Sequence, residues 1–482
     1  MTVNATYLIV DIGTGNVRVA ATTPEGNVLA LARENISYIK EQDYPDALYF
    51  DPNQLWDQVL RLTNEVLAQV SANTVKAITA TSQREGIVLL RADGQSLIGL
   101  PNIDHRGREW ENMIADKSSV YRLTGRYPGS LFSALKLVGI RKRRHQLWPQ
   151  CTAFLSISNW IEYKFSGIAR YEHSQASETL LYDVARQQWS PELCKVFDLS
   201  PDLLPELVSS ATILGDILPV FSQKLGIPAN TKIIVGGGDT QLAIKSTRPA
   251  VNDMIIVSGT TTPIVKLTGT YILDKEERTW TSRDIENGRF VFEANAGVTG
   301  LNYQRLKEIF YPNEGYDVIE KELAEASRNC MASLGSLLAH EKTPLTRGGF
   351  IFPAPISHQL SRASFVWAAL EDMAFSISTN YSILATVTGN APNYIWACGG
   401  GLQSKALRQL IADFTGVKVL LRHGYEQASA VGGALICNEA LQVDVEMDDR
   451  IEEVFPDIKE EQSNGYLYDQ WEQTRGYFRN MR

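Results

Sequence analysis

The chain has 482 residues, 44% of them hydrophobic and 21% charged, and carries a formal net charge of -9. That length suits two or three domains, and the balance is that of a soluble globular protein rather than a disordered one. The negative charge counts against a nucleic-acid binder, which needs a basic face, and no apolar run approaches the roughly 20 residues of a membrane span.

In chain order, Tyr7-Leu8-Ile9-Val10-Asp11 reads as a strand running into the tight turn Gly13-Thr14-Gly15. Val17-Arg18-Val19-Ala20 resumes as a second strand, and Pro24-Glu25-Gly26-Asn27 turns into a third. The chain therefore opens with consecutive β-hairpins and not with a βαβ unit. Asp51-Pro52 starts a helix whose apolar positions Leu55, Val59, Leu62 and Val66 follow a helical period. Residues 75–81 return to strand, and the basic run Arg141-Lys142-Arg143-Arg144 reads as a solvated helix end. A buried strand, Lys232-Ile233-Ile234-Val235, leads to a glycine turn, Gly236-Gly237-Gly238, and then to Asp239. Met254-Ile255-Ile256-Val257, the turn Ser258-Gly259-Thr260-Thr261-Thr262 and the strand Pro263-Ile264-Val265 repeat the arrangement at the N-terminus. Tyr394-Ile395-Trp396-Ala397 enters Gly399-Gly400-Gly401 ahead of an amphipathic helix through Leu407, Leu410, Ile411 and Phe414. The repeated hairpin predicts two α/β domains of one fold, 1–248 and 249–482, with the boundary in 245–253.

Five scattered cysteines without a CxxC pair suit free thiols in a reducing cytoplasm. The six histidines show no metal-ligand spacing, and the N-terminus lacks the plan of a signal peptide. Each glycine turn can bring backbone N–H groups close to an anion. Residues 13–18 lack the third glycine of a dinucleotide fingerprint and open a strand, which disfavours a Rossmann oxidoreductase; no GxxxxGK[ST] occurs either. What remains is a nucleotide held between two Gly-Thr hairpins.

Asp11-Ile12-Gly13-Thr14-Gly15-Asn16-Val17-Arg18 resembles the first phosphate motif of the FGGY carbohydrate kinases. Ser258-Gly259-Thr260-Thr261 resembles their second phosphate motif, and Gly399-Gly400-Gly401-Leu402-Gln403-Ser404 their adenosine motif. The likeness runs from about residue 7 to 440, with the motifs in the family's order. It implies two ribonuclease-H-like (actin-like ATPase) domains with a cleft between them, and ATP and Mg2+ as cofactors. By that resemblance Gly13, Thr14, Asn16, Arg18, Gly259, Thr260, Thr261, Gly400, Gly401 and Ser404 contact ATP. Gly237-Gly238-Asp239-Thr240-Gln241 matches the catalytic-base motif, so Asp239 is the expected base, and Asp11 and Asp239 the expected carboxylates near the metal.

Ser82-Gln83-Arg84-Glu85-Gly86 follows a strand that reads as buried and is similar to the polyol-binding segment of glycerol kinases. The expected substrate contacts are Gln83, Arg84, Glu85 and Asp239, with Asp104 and Arg106 from the loop Asn102-Ile103-Asp104-His105-Arg106. That loop, the Arg84–Leu89 string and Ser156–Trp160 resemble the autoinducer-2 kinase branch, whose substrate is a short dihydroxy-dione-type sugar derivative. The chain departs from the family pattern at Gly139, where many members carry tryptophan, and at Asn159, often aspartate. The expected activity is phosphorylation of a small sugar or hydroxy-ketone, with a xylulose-type ketose or polyol as the alternative. The rival of another class is an actin-like nucleotide-binding regulator without kinase activity. The expected partners are the sugar, no nucleic acid and no membrane; a homodimer is the one assembly considered.

Overall fold

The computed structural model describes residues 5–457 and 461–481. Its first lobe is built on a six-stranded sheet of Thr6–Ile12 (β1), Asn16–Thr22 (β2), Val28–Asn35 (β3), Val75–Ser82 (β4), Ile213–Asp216 (β5) and Lys232–Gly238 (β6), in the order β5-β6-β4-β1-β2-β3. β1 is buried along its whole length, as a central strand covered on both faces must be. It pairs antiparallel with β2 and parallel with β4, while β4 runs parallel to β6. The helix Pro52–Leu67 (α1) crosses from β3 toward β4. Its N-cap Asp51 accepts from Asn53 N at 2.8 Å, and proline at the first position needs no N–H partner. Leu55, Val59, Leu62 and Val66 face the core, as their period predicts. Helices Ile157–Ser166 (α2) and Asp239–Ser246 (α3) complete the part of this lobe that bears on the site.

The second lobe repeats the plan. Its sheet holds Met254–Val257 (β7), Thr261–Thr268 (β8), Trp280–Arg283 (β9), Phe290–Val298 (β10), Tyr394–Cys398 (β11), Lys418–Arg422 (β12) and Ile451–Val454 (β13). The order is β9-β10-β8-β7-β11-β12-β13. With β9 set aside as an added edge, order and strand directions match the first lobe, down to an antiparallel last strand in each. The expected repeat of one ribonuclease-H-like fold is thus present.

Between the sheets lie α3 and the helix Ala428–Leu441 (α6), the latter preceded by Arg362–Thr388 (α4) and Lys405–Thr415 (α5). α6 buries Ala430, Ala434 and Cys437 against Tyr7, Ile9 and Ile234 of the first sheet. It crosses α3 so closely that a Cβ on Gly432 would lie 2.0 Å from the Leu242 carbonyl oxygen. Asn438 fixes the crossing: Tyr7 Oη donates to its Oδ1 at 2.9 Å, and its Nδ2 donates to the Pro24 carbonyl at 2.7 Å. The five cysteines are free and buried. No helix among the described residues is long and apolar enough to cross a membrane.

One local expectation differs. The three glycines before Asp239 do not form a turn; β6 runs through them to Gly238. Lacking side chains, they let the strand pass against its neighbours, and a Cβ on Gly236 would meet the Ala80 carbonyl at 1.9 Å. The chain turns only at Asp239, where α3 begins.

Candidate active site

The ends of β1, β4 and β6 bring Asp11, Arg84 and Asp239 within electrostatic reach of one another. Asp239 stands in the first turn of α3, and its Oδ1 accepts from Thr240 N at 2.6 Å and from Thr240 Oγ1 at 3.2 Å. The residue is half-buried, and loss of solvation among the surrounding protein pushes the carboxyl up to about 6, with Arg84 opposing the rise and Asp11 adding to it. A carboxylate poised there is ionised at neutral pH and still basic enough to take a proton. Asp11 Oδ2 accepts from Ser429 Oγ, across the lobes, at 2.7 Å, and lies 3.5 Å from Arg18 Nη2. Its Oδ1 is buried without a hydrogen-bond partner, as is Asn16 Oδ1.

The hairpin at residues 13–16 is held from the side. Gly13 N donates to the Asn16 carbonyl at 2.9 Å, closing the turn. Gln83 Nε2 donates to the Gly13 carbonyl at 3.1 Å, Tyr38 Oη to the Thr14 carbonyl at 2.7 Å, and Asn102 Nδ2 to Thr14 Oγ1 at 2.9 Å. Asn102 N donates in turn to Gln83 Oε1 at 2.8 Å. In the second lobe, Gly259, Thr260 and Thr261 are exposed, and Gly259 N donates to the Thr261 carbonyl at 2.9 Å. This hairpin is anchored by main chain: Ser258 N donates to the Cys398 carbonyl at 2.8 Å, and Gly401 N to the Ser258 carbonyl at 2.9 Å. Gly399, at φ +102°, permits the approach, since a Cβ there would meet the Ser258 carbonyl at 2.3 Å. At Gly13 and Gly259, by contrast, a Cβ would meet nothing nearer than 3.6 and 3.8 Å, and at Gly400 nothing within 4 Å. These three backbones therefore have open space beside them, as a cradle for polyphosphate and adenosine needs. Ser404 is buried, and its hydroxyl caps α5 by accepting from Leu407 N at 3.2 Å.

Arg84, near Asp239, is gripped by Glu293 of the second lobe, with Nη1 2.6 Å from Oε2 and Nη2 2.9 Å from Oε1. Glu85 is buried at φ +61°, and burial, reinforced by Glu178, pushes its carboxyl up to about 8 against Arg84, Arg126 and Lys136. Asp104 and Arg106 are fully buried and satisfied by the protein. Asp104 accepts from Leu48 N and Arg106 Nε, and Arg106 also donates to Glu41 and the Leu48 carbonyl. They pin the segment around residues 41–48, while Gln83 ties the 13–16 hairpin to the 102 loop. Burial lowers Lys136 to about 8, and its Nζ donates to the carbonyls of Asn102 and Leu131.

Sequence reasoning did not single out Tyr38, Lys136, Glu178, Glu293 or Ser429. Lys136 carried a usable signal, a lone charge inside the apolar run Leu135-Lys136-Leu137-Val138. The others are placed by tertiary contacts far apart in sequence.

The oxygen-rich set fits a hard cation: Asp11 has an unpartnered buried oxygen, with Asp239 close enough to affect its field. Among the described residues no group of three or more His, Cys, Asp or Glu is set to cage a metal.

Two actin-like lobes with a glycine-threonine hairpin in each, and a carboxylate at a neighbouring strand end, form the frame of an ATP-using phosphotransferase. Residues 6–245 match the N-terminal domain of the FGGY family of carbohydrate kinases, and residues 335–441 its C-terminal domain. The chain is 50% identical over 475 residues, 98% of its own length and 97% of the other's, to the Bacillus subtilis (strain 168) protein named "Putative sugar kinase YoaC". It is 26% identical to an autoinducer-2 kinase of Escherichia coli, over 89% of this chain and 85% of that one. Xylulose kinase from Lactobacillus acidophilus has the same fold, with a TM-score of 0.83 at 18% identity and 98% of each chain covered. The chain belongs to the FGGY family of carbohydrate kinases. It is accordingly an ATP-dependent kinase that transfers phosphate to an alcohol group of a small sugar.

Proposed function

We propose that the protein phosphorylates a hydroxyl of a short, linear hydroxy-ketone, the autoinducer-2 precursor, with a xylulose-type ketose as second choice. The observation that carries the reading is the placement of Asp239 beside Arg84, at the ends of adjacent parallel strands. Asp239 takes the hydroxyl proton as the γ-phosphate is transferred, and Arg84 and Glu85 bracket neighbouring oxygens of the acceptor. Arg84 supplies donors; Glu85, whose burial favours the neutral acid, can both donate and accept in that form. The likeness to an autoinducer-2 kinase along most of the chain supports the choice of substrate.

Gly13, Thr14, Asn16 and Arg18 receive the phosphates from one lobe and Gly259, Thr260 and Thr261 from the other, with Gly400 and Gly401 against adenosine. Ser404 acts there by capping the helix behind the adenosine turn. Asp11 and Asp239 would hold Mg2+, through water for the most part. Magnesium, when bound, supplies positive charge to the β- and γ-phosphate oxygens. Asp104 and Arg106 support the acceptor loop from behind instead of touching the sugar. The test is ADP release on a panel of the autoinducer-2 precursor, D-xylulose, glycerol and hexoses. Efficient turnover of glycerol or a hexose, with none of the autoinducer-2 precursor, would sink the substrate assignment and leave the kinase family intact.

A further inference from the structure

The second lobe also reaches into the sugar side. In the β9–β10 pair Trp280 stands opposite Glu293, and both meet arginines of the first lobe. The guanidinium carbon of Arg126 lies 4.7 Å from the Trp280 ring centroid, while Glu293 holds Arg84 with both oxygens. Glu178 stands between the two arginines: its Oε1 accepts from Arg126 Nη2 and lies 3.8 Å from Arg84 Nη1. Main-chain and packing contacts seat the hairpin. Thr281 N donates to the Gly125 carbonyl at 2.9 Å, Arg283 N donates to Ser177 Oγ at 3.1 Å, and Phe290 is part of the first lobe's core.

We propose that Glu293 is a positioning residue for the sugar site and that, by engaging Arg84, it sets a preference for an uncharged sugar over an acidic one. This rests on the reading of Arg84 as a sugar contact. A guanidinium carries five N–H groups in one plane. Glu293 takes one on each terminal nitrogen, across the end of the fork, so the remaining donors, including Nε–H, are presented in one fixed orientation. The charges balance as well. Arg84 is offset by Glu293 and Arg126 by Glu178, while burial favours the neutral form of Glu85. Lys136 and Asp239 add one charge of each sign. The wall therefore offers hydrogen bonds without a surplus cation, and a carboxylate on the ligand would lose water without gaining an ion-pair partner. Removing the charge of Glu293 frees Arg84 in both respects.

The experiment is steady-state kinetics of the full chain with Glu293→Gln, Glu293→Asp and Arg84→Ala. The acceptors are the autoinducer-2 precursor, D-xylulose and D-gluconate, with circular dichroism to check folding. For Glu293→Gln we expect a loss of about tenfold to a hundredfold in kcat/KM on the neutral sugar, the scale of an ångström-sized misplacement. The loss should lie mainly in the sugar KM, leave the ATP KM unchanged, and be smaller on gluconate. Glu293→Asp, which keeps the charge with a shorter reach, should retain the neutral-over-acid ratio. A folded Glu293→Gln with wild-type sugar KM and ratio overturns the proposal, as does a parallel rise in both KM values, which would mark a merely structural residue. Should Glu293→Gln fail to fold, a Glu293→Asp that loses the neutral-over-acid ratio overturns it, and one that keeps the ratio with a raised sugar KM supports it. Impaired Arg84→Ala beside unaffected Glu293 variants leaves the proposed function standing and removes this inference alone. An Arg84→Ala enzyme with wild-type sugar KM removes both, and so does a wild type that prefers gluconate.

Discussion

The two lobes share a frame and differ in what stands at the ends of their strands. At the ends of β1, β4 and β6 the first lobe places ionisable groups: Asp11 near the turn, Arg84 and Glu85, and Asp239. After β7, β11 and β12 the second places Ser258, three glycines from Gly399, and His423. The Gly-Thr hairpin of the first lobe is fastened by side chains of Gln83, Tyr38 and Asn102, that of the second by main-chain bonds to the glycine segment. A sugar hydroxyl calls for placed acids and bases, whereas a polyphosphate can be received by backbone N–H groups wherever the chain comes close enough. One fold can thus serve two ligands through its strand ends alone.

The largest expected effect tests that asymmetry directly. Asp239→Asn should lower kcat by about 10²–10⁴-fold, the usual contribution of a general base, with folding and ATP affinity retained. His423→Ala, at the matching strand end of the second lobe, should change turnover by less than a few-fold. Asp239→Asn turning over within a few-fold of wild type would remove Asp239 from the role, and with it the contrast between the lobes.

Next in size is the symmetry that remains. Gly13→Ala and Gly259→Ala add a methyl where the protein itself leaves room, so both variants should fold normally. If polyphosphate lies against both turns, each should weaken ATP binding by about tenfold to a hundredfold, the worth of one charged hydrogen bond. Calorimetry showing wild-type affinity in both would make the turns structural only.

A smaller pair of changes separates the two ways of holding a hairpin. Tyr38→Phe deletes the bond to the Thr14 carbonyl and should weaken ATP binding about threefold to tenfold. Thr262→Val deletes hydroxyl contacts to Ser258 and Thr299 but leaves the main-chain anchors, so ATP affinity should stay near wild type. Equal losses in the two variants would erase the distinction.

The frame was legible because it is local: apolar strands, Gly-Thr turns and a helical period announce themselves within ten residues. The repeat of the hairpin was enough to infer that both lobes share one fold. The site was legible only as far as its motifs reach. The 82–86 segment marks Arg84, but its partner Glu293 is 209 residues away on a strand with no motif of its own. Asp104 and Arg106 are marked by the resemblance of their loop to the family's, and only the packing reveals that their capacity is used within the protein. Gly139 shows the same limit. A Cβ there would already meet the Arg106 backbone oxygen at 2.7 Å, so the residue is dictated by a neighbour that spacing does not disclose.

The smallest effect concerns what lies beneath the first lobe's charged strand ends. Glu162 on α2 is buried under β6, where its Oε1 accepts from Gly236 N at 2.8 Å and its Oε2 from Asn159 Nδ2 at 2.9 Å. Burial outweighs these bonds and pushes its carboxyl from 4.5 up to about 8. Between those values the native state holds a proton that the unfolded chain has released. The contribution to stability is therefore complete below the unfolded value and is lost progressively as pH rises toward 8. Glu162→Gln keeps the shape and an acceptor for Gly236 but cannot titrate. Its amide also faces the Asn159 amide, a cost that is the same at every pH and so leaves the slope untouched. The wild type should lose stability from pH 5 to 8 more steeply than Glu162→Gln, by up to about 1.4 kcal/mol per pH unit for one proton. Denaturant melts at pH 5.5, 6.5 and 7.5 read the difference. Parallel profiles would mean that Glu162 is ionised in the folded lobe. The strand leading to Asp239 would then be held by a buried anion, not by a neutral acid.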